Sequence, residues 1–260
     1  MTDERHAAIP QGAMLYDPAR LETPSAAVFT REHWAAAGRL REMQGGRGSV
    51  AFVQAPAGEW VLRHYRRGGL AARISTDRYL WLGADRTRSF REWRLLAELR
   101  RRDLPVPAPV AARFVRSGPT YRADLITERI PAACTLAEEA RAPALHPERW
   151  HAVGRTIARF HAHGVCHADL NAHNILLADG GAGPAVYVLD FDRGRFRARG
   201  PWEQAVLARL CRSVEKVTAG RLRADSAPWQ ALLEGYAAVT GAAAPPPRGD
   251  SNQDNPPSIP

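Results

Sequence analysis

Eight residues constrain this chain more than any other stretch: His167-Ala168-Asp169-Leu170-Asn171-Ala172-His173-Asn174. Sixteen residues after Asn174 comes Asp190-Phe191-Asp192, just past the apolar run Val186 to Leu189. The elements around these polar groups can be read from periodicity. Pro147 to His163 is a long helix candidate with Trp150, Val153, Ile157 and Phe160 on one face, and Gly164 sits where a helix C-terminal glycine belongs. Asn174 to Leu177 and Val186 to Leu189 read as short strands around a glycine-rich turn at 180–183. Trp202 to Thr218 is amphipathic, and Ala227 to Val239 is a last helix.

The first half has a different rhythm. Residues 1–30 contain Pro10, Pro18 and Pro24 and read as irregular, with at most one short strand. Arg31 to Gly38 fits a short helix. Ser49 to Gln54 and Glu59 to Arg66 are strands joined by a turn at Pro56-Ala57-Gly58. Phe90, Trp93, Leu95, Leu96 and Leu99 recur at helical spacing within Thr87 to Arg102, and Pro105, Pro107 and Pro109 end that region. Val110 to Arg116 and Tyr121 to Glu128 form a second hairpin. The pattern predicts an α+β chain of two lobes with a cleft between them: a β-rich lobe over 1–129, a mainly helical lobe over 130–240, and a disordered tail over 241–260.

Composition narrows the function classes. At 260 residues and 45% hydrophobic, the chain can bury a core without staples. Cys134, Cys166 and Cys211 are odd in number and widely spaced, which argues against a disulfide framework. The charged start Met1-Thr-Asp-Glu-Arg lacks the apolar stretch of a signal peptide, and no run approaches the roughly 20 apolar residues of a spanning helix. Net charge is +9, and residues 1–129 hold +8 of it. The basic side chains are arginines apart from Lys216. Such a half suits an anionic partner (phosphate groups, an anionic membrane surface or nucleic acid), or is generic surface charge.

The paired motifs resemble the protein-kinase-like superfamily, whose catalytic loop reads H-x-D-x-x-x-x-N and whose metal motif is D-F-G or a variant. Phosphoryl transfer needs a carboxylate to orient the attacking hydroxyl and accept its proton, and oxygen ligands for magnesium. The resemblance implies a bilobal kinase-like fold with the active site in the cleft. It makes Asp169 the catalytic base, Asn174 and Asp190 the magnesium ligands, and His167 a structural residue of the loop. Gly45-Gly46-Arg47-Gly48-Ser49 lies in the place of the loop over the ATP phosphates, with Gly46 and Gly48 as its glycines; the alternative is a hairpin turn. Trp60-Val61-Leu62-Arg63 stands where most kinases have Val-Ala-Ile-Lys, so Arg63 becomes the phosphate-binding cation. Val61, Arg63 and Tyr65 share a strand face. Glu92 is then the ion-pair partner of Arg63, or else a solvated residue on an arginine-rich helix.

Several departures and alternatives stand beside this reading. Asn171 replaces the cation that many kinases carry two residues after the base; a neighbouring arginine is a possible substitute. His161, His163, His167 and His173 fall within thirteen residues. A transition-metal site there is disfavoured, because His161 and His163 lie on different helix faces. Cys166 reads as a small buried residue rather than a nucleophile.

Only ten residues separate Asp190 from Pro201, too few for a peptide-binding activation segment, so no protein substrate is expected. The loop and the Leu189-Asp190-Phe191-Asp192-Arg193-Gly194 run resemble the lipopolysaccharide core kinase family, and within it the kinases of 3-deoxy-D-manno-octulosonic acid (Kdo). So do Val61 to Gly69, Leu104 to Pro107, Tyr121 to Leu125 and Leu207 to Leu210 with Arg212-Ser213. That resemblance implies ATP and Mg2+ as cofactors and a Kdo-lipid A acceptor. It also implies a peripheral enzyme on the anionic cytoplasmic face of the inner membrane, with Arg66, Arg67, Arg73 and Arg78 as contacts. The rivals are a phosphotransferase of the aminoglycoside or choline kinase type, a kinase-like binding module without activity, and a basic nucleic-acid binder. No motif supports the last, and no nucleic acid is expected as a partner.

Overall fold

The computed structural model describes residues 2–41, 50–66, 77–131, 133–180 and 183–241. Gly46, Gly48, Arg67 and Arg73, and the proposed tail from residue 242 on, lie outside them. The chain divides into two compact units: Met1–Ala133 with Tyr187–Arg195, and Cys134–Val186 with Phe196–Pro260. The segment carrying Asp190, expected within 130–240, thus clusters with the first unit. Its side chains explain this, as described below.

The first unit is built on an antiparallel sheet. Its strands are β1 (Arg5–Ile9), β2 (Gly12–Tyr16), β3 (Leu40–Arg41), β4 (Val50–Ala55), β5 (Gly58–His64), β6 (Tyr79–Leu80), β7 (Pro109–Ser117) and β8 (Thr120–Glu128). The order is β1-β2-β7-β8-β5-β4-β3, with β6 on β8. Residues 1–30, expected to be irregular, supply the β1–β2 hairpin that extends the sheet beside β7. Gly12 permits that pairing: a Cβ there would lie 2.0 Å from the Phe114 carbonyl oxygen.

Alternation along β5 sorts its side chains to two faces. Trp60 and Leu62 join a core of Met14, Leu21, Val28, Phe29 and Trp34, the last two from the 3-10 turn Ala26–Phe29 and helix α1 (Arg31–Ala36). Arg63 and Tyr65 face the other way, toward helix α2 (Arg88–Arg101). Phe90, Trp93, Leu96 and Leu99 form the buried stripe of α2, and Glu92 is buried within it. Arg100 and Arg101 in its last turn complement the helix dipole.

The second unit is mainly helical. Its helices are α3 (Leu136–Arg141), α4 (Pro147–Ala162), α5 (Trp202–Val217) and α6 (Ala227–Thr240). The remaining short strands are β9 (Ala133–Thr135), β10 (Val165–Cys166), β11 (Ile175–Gly180), β12 (Gly183–Val188) and β13 (Arg195–Phe196), of which Ala133, Tyr187, Val188 and Arg195 count with the first unit. α4 begins with a proline, and Gly164 follows it at φ 68°. Gly241 caps α6 at φ 67° in the same left-handed way. α4 and α6 meet backbone to backbone: a Cβ on Gly154 would fall 1.8 Å from the Leu232 oxygen, and one on Gly235 2.0 Å from the His151 oxygen. Between them His161 is buried, sharing a 2.9 Å hydrogen bond with the Tyr236 hydroxyl. Burial pushes the His161 imidazole down to about 4 and the Tyr236 phenol up to about 12. Cys166 is buried, as the sequence suggested. Among the described residues no cluster of three or more His, Cys, Asp or Glu side chains is arranged to hold a metal ion.

Candidate active site

In the first unit four predicted or adjacent groups converge. Arg63, on the central strand β5, makes an ion pair with Glu92 on α2. The same guanidinium donates to the Tyr65 hydroxyl at 3.0 Å and to Asp190 Oδ1 at 2.5 Å. Glu92 is 2% exposed, so its solvated alternative is excluded. Its two oxygens divide their work: Oε2 accepts Arg63 and, at 2.6 Å, the Tyr65 hydroxyl, while Oε1 accepts the Phe191 N–H at 3.0 Å. Burial raises the Glu92 carboxyl above its usual range, against the pull of the Arg63 charge. Burial alone would lower the Arg63 guanidinium, but Glu92, Tyr65 and Asp190 together hold it well above its ordinary value. Burial and the Glu92 charge raise the Tyr65 phenol in turn.

The Asp190-Phe191-Asp192 run is pinned to this network at each residue. Asp190 meets Arg63, the Phe191 amide meets Glu92, and Asp192 accepts Arg88 Nε at 2.6 Å. The Phe191 ring is 1% exposed. Just upstream, the Val188 amide donates to the Pro105 oxygen at 3.0 Å. These contacts account for the clustering of 187–195 with the first unit. Asp190 takes φ 61°, in the left-handed region that a side-chain-bearing residue enters at a cost. Gly194 closes the run: a Cβ there would come 2.8 Å from the side chains of Leu95 and Phe191.

In the second unit the loop 167–174 is ordered by its own side chains. His167 is buried, and its Nδ1 accepts the Asp169 N–H at 3.3 Å, which places the ring proton on Nε2. The Asp169 carbonyl accepts the amide nitrogens of Asn171 at 3.0 Å and Asn174 at 3.2 Å. Asn171 Oδ1 accepts the His173 N–H at 2.9 Å and starts the 3-10 turn Ala172–Asn174. The Asp169 carboxylate points to Arg209 of α5 and forms an ion pair through Oδ1. α5 also grips the loop at Ser213, whose Oγ accepts the Ala172 N–H at 3.1 Å.

The structure therefore brings Arg63, Glu92 and Asp190 together, and separately groups His167, Asp169 and Asn174. Tyr65 and Arg209 are contacts that sequence reasoning did not single out. Tyr65 was signalled by sharing a strand face with Arg63. For Arg209 the sequence held no local signal, since its contact with Asp169 depends on how α5 docks.

Comparison with known proteins follows from this fold. The structure is similar to a solved one described as "WaaP in complex with acyl carrier protein", with a TM-score of 0.50, 17% identity, and 78% of this chain and 80% of that one covered. At that identity the likeness concerns the α+β fold. In sequence, the model of the lipopolysaccharide kinase (Kdo/WaaP) family matches residues 31–236, and the chain belongs to that family. Among its relatives is a protein of Xanthomonas campestris pv. campestris (strain B100) named 3-deoxy-D-manno-octulosonic acid kinase. It is 49% identical over 215 residues, covering 82% of this chain and 84% of that protein. A protein of Stenotrophomonas maltophilia (strain R551-3) with the same name is 49% identical over 211 residues, covering 81% and 83%.

Proposed function

We propose that this chain is an ATP-dependent kinase that phosphorylates the 4-hydroxyl of a Kdo sugar attached to lipid A, in lipopolysaccharide core assembly. The observation that carries this reading is 49% identity, over 82% of the chain, to a protein named as a kinase of that sugar. Membership in a kinase family implies ATP use. Each of the two units carries residues to which the kinase reading gives a role.

Asp169 orients the acceptor hydroxyl and takes its proton, with its backbone held by His167. Arg63 binds the nucleotide phosphates through its planar fork, kept charged and in place by Glu92. Gly46 and Gly48 are assigned to the same phosphates from sequence. The donor chemistry of Asn174 and Asp190 fits magnesium, which prefers oxygen ligands. The Asn174 amide nitrogen is committed to the Asp169 carbonyl, which leaves its oxygen as the acceptor, and Asp190 offers a carboxylate that is 41% exposed. Magnesium would neutralise the nucleotide phosphates, and each of these residues is assigned to it from the resemblance.

On this reading the enzyme works at the cytoplasmic face of the inner membrane, as a peripheral protein. No helix among the described residues is long and apolar enough to cross a membrane. Leu80 and Leu82, 61% and 60% exposed, follow Arg78 in sequence and suit an anionic lipid surface. Arg66 and Arg122 line a cavity of about 570 Å³ in the same unit and add to its positive field.

The test is transfer of labelled phosphate from Mg-ATP to Kdo-lipid A in detergent, with an aminoglycoside as second acceptor. The wild type is expected to label the lipid alone, and Asp169→Asn to abolish labelling. Label in the aminoglycoside, or in neither acceptor, would remove the Kdo assignment.

A further inference from the structure

We propose that Arg209 supplies the cation that the loop 167–174 lacks, contacting the transferring phosphoryl group while it orients Asp169. This inference rests on the kinase reading above. It starts from Asn171, which occupies the position of the missing cation. Both ends of its amide are committed, the nitrogen to the Asp169 carbonyl at 3.0 Å and the oxygen to the His173 N–H at 2.9 Å. Asn171 thus shapes the loop and carries no charge to offer a phosphate.

Arg209 reaches the same place from α5. It ion-pairs with Asp169 Oδ1, and the two side chains are 49% and 45% exposed. A pair this exposed is screened by water and returns little to the fold, because ordering a long side chain offsets the attraction. Its position is nevertheless fixed. Ser213, one helical turn further along α5, accepts the Ala172 N–H at 3.1 Å, and Leu210 between them is fully buried. The helix is therefore registered on the loop at one residue and presents a guanidinium to the base at another.

Arginine has five N–H donors in a planar fork, and the contact to Oδ1 uses one nitrogen. The remaining edge suits the oxygens of a phosphoryl group, as arginine does generally. In the transfer step the acceptor oxygen forms a bond to the γ-phosphorus. The bond from that phosphorus to the β,γ-bridging oxygen breaks, and its electron pair leaves with ADP. The hydroxyl proton passes to the Asp169 carboxylate. Arg209 neutralises charge on the transferring oxygens and is unchanged at the end.

The experiment compares wild type with Arg209→Gln, Arg209→Lys and Arg209→Gly, the last with and without dilute guanidinium. It reads kcat and KM for ATP on Kdo-lipid A, slow ATP hydrolysis with water as acceptor, and the melting temperature. Arg209→Gln is expected to lose on the order of 10²-fold in kcat with KM for ATP little changed. Arg209→Lys should recover part of the loss, and guanidinium should restore Arg209→Gly but not Arg209→Gln. All variants should melt near the wild type. Wild-type kcat in Arg209→Gln would overturn the proposal, and so would an unrescued loss accompanied by a fall in melting temperature. A wild type that hydrolyses ATP but leaves Kdo-lipid A unlabelled would remove the acceptor assignment, while the hydrolysis series still decides the role of Arg209. A wild type inactive in both would overturn the two together.

Discussion

Two arginine–carboxylate pairs, one in each unit, are held in opposite ways. In the first, Glu92 is sealed on the buried face of α2 with 2% of its surface exposed, and its partner Arg63 is mostly buried with it. In the second, Asp169 and Arg209 meet with nearly half of each side chain open to solvent. Both are arginine–carboxylate pairs, yet only the first is bound up with folding. A buried charge stripped of its partner has no water to fall back on, whereas an exposed one does. The buried pair is furnished with extra donors, Tyr65 and the Phe191 amide, that satisfy the remaining lone pairs of Glu92. The exposed pair has a helix that sets its position and an edge left open.

The contrast breaks most visibly at Arg63. Arg63→Met should lower unfolding stability by about 3–5 kcal/mol in urea, because Glu92 is left buried and alone. Pairing it with Glu92→Leu should recover most of that loss. A single variant as stable as the wild type would show that burial does not distinguish the two pairs.

A second test concerns a titratable group buried in the second unit. There the neutral His161 is faced by Tyr236 of α6 and by Glu203 of α5, which is itself paired with Arg199. The unfolded imidazole titrates near 6.5 and the folded one near 4, so the native state excludes the proton. The stability it contributes is complete above 6.5 and is lost as pH falls from there toward 4, amounting to about 3 kcal/mol over the full window. Urea titrations at several pH values should show this slope in the wild type and a flatter one in His161→Gln. The smallest effect is expected at Arg209, where Arg209→Gln should shift unfolding stability by less than about 1 kcal/mol. A larger loss would place that pair with the first.

Much of the architecture could be read from pattern because long elements repeat their signal. α2, α4, α5 and α6 each carry an apolar stripe over fourteen or sixteen residues, and β7 and β8 are nine residues each. The misses are short. The β1–β2 hairpin has two five-residue strands, partly exposed at the sheet edge, so its alternation is weak and its prolines dominate the reading. α3 spans six residues, although Thr135 and Glu138 form a capping box that its Thr-x-x-Glu spacing could have revealed. Glu92 was legible because the kinase resemblance, once it made Arg63 the phosphate-binding cation, called for an acidic partner on the following helix. The contact of Arg209 with Asp169 spans forty residues and depends on how α5 docks, which no local pattern encodes.

The first unit is discontinuous in sequence, assembled from Met1–Ala133 and Tyr187–Arg195. Chains are synthesised from the N-terminus, and early domains ordinarily fold as they emerge. Here that order is interrupted. The Phe191 amide that completes Glu92 lies ninety-nine residues downstream, and Asp190 lies one hundred and twenty-seven beyond Arg63. A nascent chain ending near Ala133 has the sheet and α2 but none of the residues that pin Asp190-Phe191-Asp192 to them. Its arginine and glutamate must wait while the whole stretch from Cys134 to Val186 is translated. Final locking of the first unit is thus delayed until most of the protein has been made.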